Sequence, residues 1–375
     1  MALTQDELYR EIDDELSWSE RDLPERLRTR HVHRLHPYLG KFIPQLVEIL
    51  LDRYVDRGAG PVLDPFGGSG TTLVQGLESG YDAVGVDVAA FNCQLMRVKT
   101  ARYDVAKVAA DVRDALARLG AFEAGETPAW VPAFAREWFA PVALAELACF
   151  REIARDYEHR ELLEVVLTRA ARSARQTAHF DLDFPRAPQR GEYWCYKHRR
   201  TCRPVETARQ FLQRYALDTV TRVAAFDGAR APLCEAAVVH GDARELQLAG
   251  PFAGIVTSPP YPGLIDYHEQ HRYAYELLGL ADRRSLELGA AERGTSRAAI
   301  AAYAQGIVDV FAAVAPALAP GAPVVIVVDD RRDLYPGILE RAGLELTDRY
   351  RRHVNRRTGR RAGEFFEDVL VARVA

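Results

Sequence analysis

Apolar and polar positions along this chain follow two rhythms, and each change of rhythm marks a predicted element. After Pro44, Leu46, Val47, Ile49 and Leu50 recur at helical spacing, so the segment from His31 to Tyr54 ends in an amphipathic helix. Short β-rich runs then alternate with helical patterns: a strand at 60–64, a helix at 71–78, a strand at 83–88 and a helix at 90–100. Such alternation predicts a parallel sheet covered by helices on both faces.

From about 103 to 227 the periodicity is helical, interrupted by the stretches 125–132 and 185–204, and no strand is expected. Strand-like runs resume at 236–240 and 252–257. A long helical pattern around 300–318 precedes 323–329, the most β-rich run of the chain. The last two runs, 344–354 and 365–374 around Thr358-Gly359, read as an antiparallel hairpin. The expected fold is α/β: a doubly wound, mostly parallel, Rossmann-like sheet with an antiparallel C-terminal hairpin and a mostly helical insert. Residues 1–30 form a polar lead-in, 31–102 and 235–375 the sheet domain, and 103–234 the insert.

Composition sharpens this only in part. With 375 residues, 48% of them hydrophobic, the chain can bury a large core. No apolar run approaches the roughly 18 unbroken residues of a membrane span. Residues 1–25 are acidic and lack the layout of a signal peptide. Five cysteines at irregular spacing do not make a disulfide framework. A reduced, cytoplasmic protein with no membrane association is expected. Net charge is −4, so no global basic field announces nucleic acid. Two local basic segments do stand out. One carries Arg190, Lys197, Arg199, Arg200 and Arg203 among Tyr193, Trp194 and Tyr196; the other runs from Arg349, Arg351 and Arg352 to Arg356, Arg357, Arg360 and Arg361.

Two strings carry the chemistry. Asp64-Pro65-Phe66-Gly67-Gly68-Ser69-Gly70-Thr71-Thr72 is a glycine-rich turn between a strand and a helix, where backbone approaches a ligand closely. It lacks the lysine of a phosphate-binding P-loop and the GxGxxG spacing of a dinucleotide site. Ser258-Pro259-Pro260-Tyr261 follows another apolar run, and its paired prolines stiffen the loop and remove competing N–H donors. Asp87 ends a second strand about two dozen residues after the first loop begins, where an acidic group suits ribose hydroxyls. Asp242 ends a third.

Together the two strings resemble the cofactor and catalytic loops of the DNA amino-methyltransferases, over residues 31–101 and 236–375. That resemblance implies a class I methyltransferase fold, S-adenosylmethionine as cofactor and double-stranded DNA as substrate. It also implies a restriction, modification or defence setting with a possible cognate protein partner. Ser258 and the Pro259 carbonyl would accept hydrogen bonds from an exocyclic amine, with Pro260 holding the loop. Tyr261 would offer its ring to a base taken out of the stack. Asp64 would suit the cofactor's amino group, Asp87 its ribose and Asp242 its adenine amine. The segment His36-Pro37-Tyr38-Leu39-Gly40-Lys41 resembles the one that closes over the methionine moiety, which brings in His36 and Lys41. Serine at the first catalytic position leans toward cytosine N4 over adenine N6. The loop order here, cofactor loop first, differs from that of many cytosine-N4 enzymes; adenine N6, RNA and small molecules stay open as acceptors, and so does a non-catalytic nucleic-acid-binding module. Asp266, Tyr267, His268 and Glu269, just after the catalytic loop, read as pocket lining or as caps of the helix that begins there.

In the insert, Arg190, Lys197, Arg199 and Arg200 are expected to meet DNA, together with Arg356 and Arg357 near the C-terminus. Cys195, His198 and Cys202 form a C-x2-H-x3-C cluster suited to three ligands of a structural zinc. Cys234 and His179 are the candidates for a fourth, and neither has motif spacing. No metal is therefore assigned, and without a fourth ligand the cluster reads as partly buried thiols beside a polar histidine.

Overall fold

In a computed structural model, which describes residues 16–18, 21–179, 181, 185–354 and 365–375, the chain is built on a seven-stranded sheet. The elements are α1 (Pro44–Tyr54), β1 (Val62–Asp64), α2 (Thr71–Ser79), β2 (Ala83–Asp87) and α3 (Ala90–Thr100). Next come α4 (Val105–Ala121), α5 (Ala133–Trp138), α6 (Pro141–Ala154), α7 (Arg160–Ala174), β3 (Tyr193–Cys195), β4 (Arg200–Cys202) and α8 (Arg209–Asp227). The chain continues through β5 (Ala236–His240), β6 (Gly254–Thr257), α9 (Tyr267–Gln270), α10 (Arg272–Leu278), α11 (Arg297–Val314), β7 (Pro323–Val328), α12 (Tyr335–Arg341), β8 (Leu344–Val354) and β9 (Phe365–Val374).

Strand order is β5-β2-β1-β6-β7-β9-β8. The first five strands are mutually parallel, whereas β9 runs antiparallel between β7 and β8. The doubly wound sheet and its antiparallel C-terminal hairpin are thus as the sequence predicts. The expected turn around Thr358-Gly359 lies outside the described residues, as do Arg356, Arg357, Arg360 and Arg361.

Side-chain alternation along the buried strands explains the layering. In β7, Val324, Ile326 and Val328 face one way and pack with Ile307 and Phe311 of α11 and Ile338 of α12. Val325 and Val327 face the other way and pack with Leu46, Val47 and Leu50 of α1. By length and composition α11 and its following turn are apolar enough to cross a membrane. Ile300, Tyr303, Ile307, Phe311 and Val314 are instead buried against the protein.

The helices between 103 and 234 are not a detached lobe. Leu119 of α4, Leu147 of α6, Val166 of α7 and Leu212 of α8 share one hydrophobic cluster with Val74 and Leu77 of α2 and Phe91 and Leu95 of α3. One expectation fails here. This region holds the two-stranded antiparallel hairpin β3–β4, pairing Tyr193 with Cys202 and Cys195 with Arg200. Strands of three residues are too short to display a period-2 pattern, so the alternation test has nothing to register.

Candidate active site

At the boundary between β1 and β6 the chain leaves the sheet in opposite directions: β1 leads to β2 and β5, β6 leads to β7. In open α/β sheets, ligands bind at the carboxyl ends of strands where the winding reverses in this way. A cleft enclosing about 830 Å³, open mouth included, lies there. Its walls carry Tyr38, Gly40 and Lys41 from the lead segment and Pro65 through Ser69, with Thr71, from the glycine loop. Asp87, Asn92, Gly241 and Asp242 line it from the β2 and β5 side, and Ser258 and Pro260 from the end of β6. Both strings singled out in the sequence therefore meet in one cavity.

The loop's glycines have distinct physical reasons. Gly68 and Gly70 have φ of +50° and +80°, the left-handed region that favours glycine. A Cβ on Gly67 would stand 2.5 Å from Met96 Sδ, so this residue must be bare for the loop to lie on α3. The loop is held from beneath by Lys99, whose buried ammonium donates to the Ser69 carbonyl at 2.6 Å. Burial, and then the nearby Lys41, pull the Lys99 pKa well below its ordinary value.

Asp87 is the hub of the cleft floor. Its Oδ2 accepts from the Gly68 N–H at 2.8 Å and from Asn92 Nδ2 at 3.1 Å, and its Oδ1 accepts from the Ala89 N–H at 2.8 Å. Burial pushes its carboxyl up to about 6 against those stabilising bonds. Asp242 is bound differently: Arg244 Nε donates to both of its oxygens, at 2.9 and 3.0 Å. Burial opposes its ionised form, but the Arg244 contacts outweigh it and hold the carboxyl below the usual range.

Four predicted cofactor residues, with Pro259 and Tyr261 of the catalytic loop, stand off the cleft wall. Asp64 is buried behind the loop, its Oδ1 accepting from Phe66 N–H at 3.1 Å and Thr257 Oγ1 at 2.6 Å. Thr72 Oγ1 donates to the Val256 carbonyl at 3.1 Å, and Gly70 caps α2. His36 is buried with Nδ1 2.8 Å from the Pro37 carbonyl, and its ring packs edge-on to Phe91 and His271. Burial holds its pKa well down. Lys41 does line the cleft and donates to the His33 carbonyl at 2.9 Å; burial lowers its pKa to about 8.

Tyr261 faces the other side of the catalytic loop. Its hydroxyl donates to Glu367 Oε1 at 3.0 Å, and it borders a second cavity with Tyr303, Asp329, Asp330 and Tyr335. The Ser-Pro-Pro-Tyr loop thus forms the partition between two cavities, Ser258 and Pro260 on one side and Tyr261 on the other.

Of the other lining residues, the sequence offered Tyr267 as pocket lining or helix cap and assigned no role to Asn92 or Glu287. Tyr267 stacks on Tyr38 with ring centroids 5.2 Å apart. Glu287 accepts from the N–H groups of Tyr267 at 3.3 Å and His268 at 3.0 Å, and pairs with the His268 ring. Tyr267 was signalled by its place just after the catalytic loop and Asn92 by its place five residues beyond Asp87 on the next helix; Glu287 left no signal.

On the insert hairpin and just before it, Arg190, Lys197, Arg199 and Arg200 are exposed and have no ion pair among the described residues. Arg203 is paired with Glu192 at 2.8 Å. The C-terminal basic run is different: Arg349 and Arg351 pair with Asp368, and the buried Arg352 with Glu367. Its described arginines are internal ties of the sheet edge.

The S-adenosylmethionine fit rests on unmet polar groups as well as shape. Ser69 Oγ and Asn92 Oδ1 are buried in the cleft with no hydrogen-bond partner among the described residues, and orphaned polar groups of this kind await a ligand or water. Fold, switch point and loops together define an S-adenosylmethionine-dependent methyltransferase of the Rossmann-like type. The chain is 32% identical to the type II methyltransferase M.MjaII of Methanocaldococcus jannaschii, over 93% of this chain and 81% of that protein. It is 34% identical to the type II methyltransferase M.MvaI of Kocuria varians over a shorter stretch, 22% of this chain and 18% of that one. This chain belongs to the type II methyltransferases, the DNA methyltransferase family that its two loops resemble. No family model matches it. Solved structures with a similar course include TrmN from Thermus thermophilus, at 13% identity and a TM-score of 0.35, covering 93% of this chain and 53% of that one. Another is the rRNA methyltransferase aviRa from Streptomyces viridochromogenes, at 14% identity and a TM-score of 0.34, covering 90% and 88%.

Proposed function

We propose that this chain methylates the exocyclic amine at N4 of cytosine in double-stranded DNA, at a specific site, within a cytoplasmic modification or defence system. The observation that carries the reading is the partition: Ser258 and Pro260 border the cofactor cleft while Tyr261, in the same rigid loop, borders the neighbouring cavity. A base seated against Tyr261 would present its amine at the edge of the cofactor cleft.

When bound, the cofactor supplies an electrophilic methyl group on a sulfonium centre. Asp87 accepts from the ribose hydroxyls and Asp242 from the adenine amine. Tyr38 and Lys41 cover the methionine end. Asp64, buried behind the loop, acts as a positioning residue through Phe66 and Thr257 and not through a direct contact. The amine of cytosine is a weak nucleophile because its lone pair is delocalised into the ring. Ser258 Oγ and the Pro259 carbonyl accept hydrogen bonds from its two N–H groups, which draws the nitrogen toward tetrahedral geometry and aligns it for in-line displacement; the N–C bond forms as the S–C bond breaks, and one N–H proton passes to solvent. Tyr261 holds the base after it leaves the stack. Arg190, Lys197, Arg199 and Arg200, on the hairpin and just before it, meet the duplex, by phosphate contact or by guanidinium contact with a base edge. The choice of cytosine over adenine is supported by Ser258 at the first position of the catalytic loop.

The test is incubation of duplex genomic DNA with labelled cofactor followed by nucleoside mass spectrometry. N4-methylcytosine is the expected product. N6-methyladenine alone would overturn the base assignment, and no modified base in any DNA would overturn the function.

A further inference from the structure

In the insert, His179, Cys195, His198 and Cys202 converge, their ligand atoms all lying within 4.8 Å of one another. Cys195 Sγ is 3.6 Å from Nδ1 of both His179 and His198, and Cys202 Sγ is 3.5 Å from Nδ1 of His198. A tetrahedral zinc with Zn–S of about 2.3 Å and Zn–N of about 2.0–2.1 Å has S···N edges of about 3.6 Å. The three measured edges match that value. We propose that these four residues bind one zinc ion, which braces the β3–β4 hairpin.

Hydrogen bonding alone does not account for the convergence. Each Nδ1 carries at most one hydrogen, yet His198 Nδ1 faces two sulfurs at equal range, and a thiol is only a weak donor. Nor do these thiols fill a hydrophobic cluster formed by the described residues: Cys195 and Cys202 are buried, but neither belongs to one. His179 Nδ1 also lies 2.8 Å from the Tyr193 hydroxyl; with that nitrogen on the metal, Tyr193 still accepts from the His179 N–H at 3.0 Å.

The hairpin needs such a brace. A two-stranded hairpin is marginal by itself, and this one has strands of three residues joined through Arg199 at φ +51°. Its side chains otherwise point outward, Trp194 being 53% and Tyr196 75% exposed, beside Lys197, Arg199 and Arg200. Zinc closes the far end of the hairpin onto His179, just beyond α7, where the Gln189 N–H also donates to the Gln176 carbonyl at 2.7 Å. The ion therefore fixes the exposed aromatic and basic side chains to the helical layer.

The full chain, purified under reducing conditions without added metal, is assayed for zinc by atomic emission. About one zinc per chain is expected, lost in His179→Ala and Cys202→Ser and kept in Cys234→Ser, whose thiol lies outside the cluster. Replacement by Co(II) should give a near-ultraviolet thiolate charge-transfer band, a readout on the native sequence that holds even if a ligand variant fails to fold. Two results would overturn the site: metal-free protein with five titratable thiols that takes up neither Zn(II) nor Co(II), or protein purified without reductant that has only three titratable thiols and no metal, which would mean a Cys195–Cys202 disulfide.

Discussion

Thr257 Oγ1 donates a 2.6 Å hydrogen bond to Asp64 Oδ1, joining two residues 193 positions apart at the ends of adjacent parallel strands. This bond, with Thr72 Oγ1 on the Val256 carbonyl, locks the glycine loop to the loop that begins at Ser258. Burial raises the Asp64 carboxyl to about 6, against the hydrogen bonds from Thr257, Thr72 and Phe66 that favour its charge.

Thr257→Val should therefore destabilise the protein by about 1–3 kcal/mol at pH 7.5, since it leaves a buried carboxylate short of a donor. The sign with pH follows from the raised pKa. The native state holds its proton more tightly than the unfolded chain, so the ionised group weighs against folding above about pH 6 and ceases to do so toward pH 4. The loss in Thr257→Val should shrink at pH 5. Urea midpoints at the two pH values measure it; an equal loss at both would disconnect Thr257 from the carboxylate.

Cofactor affinity should fall as pH drops below about 6, where Asp87 takes up a proton and loses acceptor capacity. The slope approaches at most about tenfold per pH unit. Asp87→Asn should bind weakly and without that slope. Asp87→Ala should lose roughly 1.5–3 kcal/mol for each charge-assisted bond removed, and it also frees the Gly68 N–H. Calorimetry across pH 5–8 is the measurement, and wild-type affinity in the alanine variant would remove Asp87 from the site.

Tyr261→Ala should lower methylation of duplex DNA by about one to two decades, given about 1–3 kcal/mol for stacking on a base. Tyr261→Phe keeps the ring and loses the hydroxyl's bonds to Glu367 and to the Ser258 side chain, so its turnover should fall less than that of Tyr261→Ala. Ser258→Ala should lower turnover with S-adenosylmethionine affinity nearly unchanged. Single-turnover rates with saturating cofactor separate these outcomes. Equal rates for Tyr261→Ala and wild type would take the ring out of base binding.

Replacing Arg199 and Arg200 together with Ala should weaken DNA binding and reduce the salt slope by about 0.9 for each phosphate no longer neutralised. Cofactor affinity should not change. Filter binding from low to moderate salt is enough to read both. An unchanged slope and affinity would make these arginines a solvated face.

Glu287→Ala should lower stability more than most single changes, because it leaves two backbone N–H groups and the His268 ring without their buried acceptor. Unpaired buried groups cost about 1–3 kcal/mol each. Glu287 also borders the cofactor cleft, so saturating S-adenosylmethionine should recover little of the loss. A denaturation midpoint equal to wild type would contradict the arrangement.

Local pattern was enough for much of this molecule. The helix from Ala90 to Thr100 and the strands Ala236–His240, Leu344–Val354 and Phe365–Val374 sit where their periodicity predicts. The two loops were legible too, since glycine and proline fix backbone geometry through their own covalent structure. What a side chain faces is another matter. Asp64 and Asp87 look alike in sequence, each closing a strand, yet one turns inward to Thr257 and the other to the cleft. Arg199 and Arg352 both lie in basic runs, but one is exposed and the other is buried on Glu367. His179 stands 16 residues from Cys195, and only the fold of the segment after α7 brings their ligand atoms to 3.6 Å. Sequence determined the elements and their order because backbone preference and hydrophobic period act over a few residues. Partners across 16 to 193 residues were decided by tertiary packing, which alone sets which polar groups share a buried space.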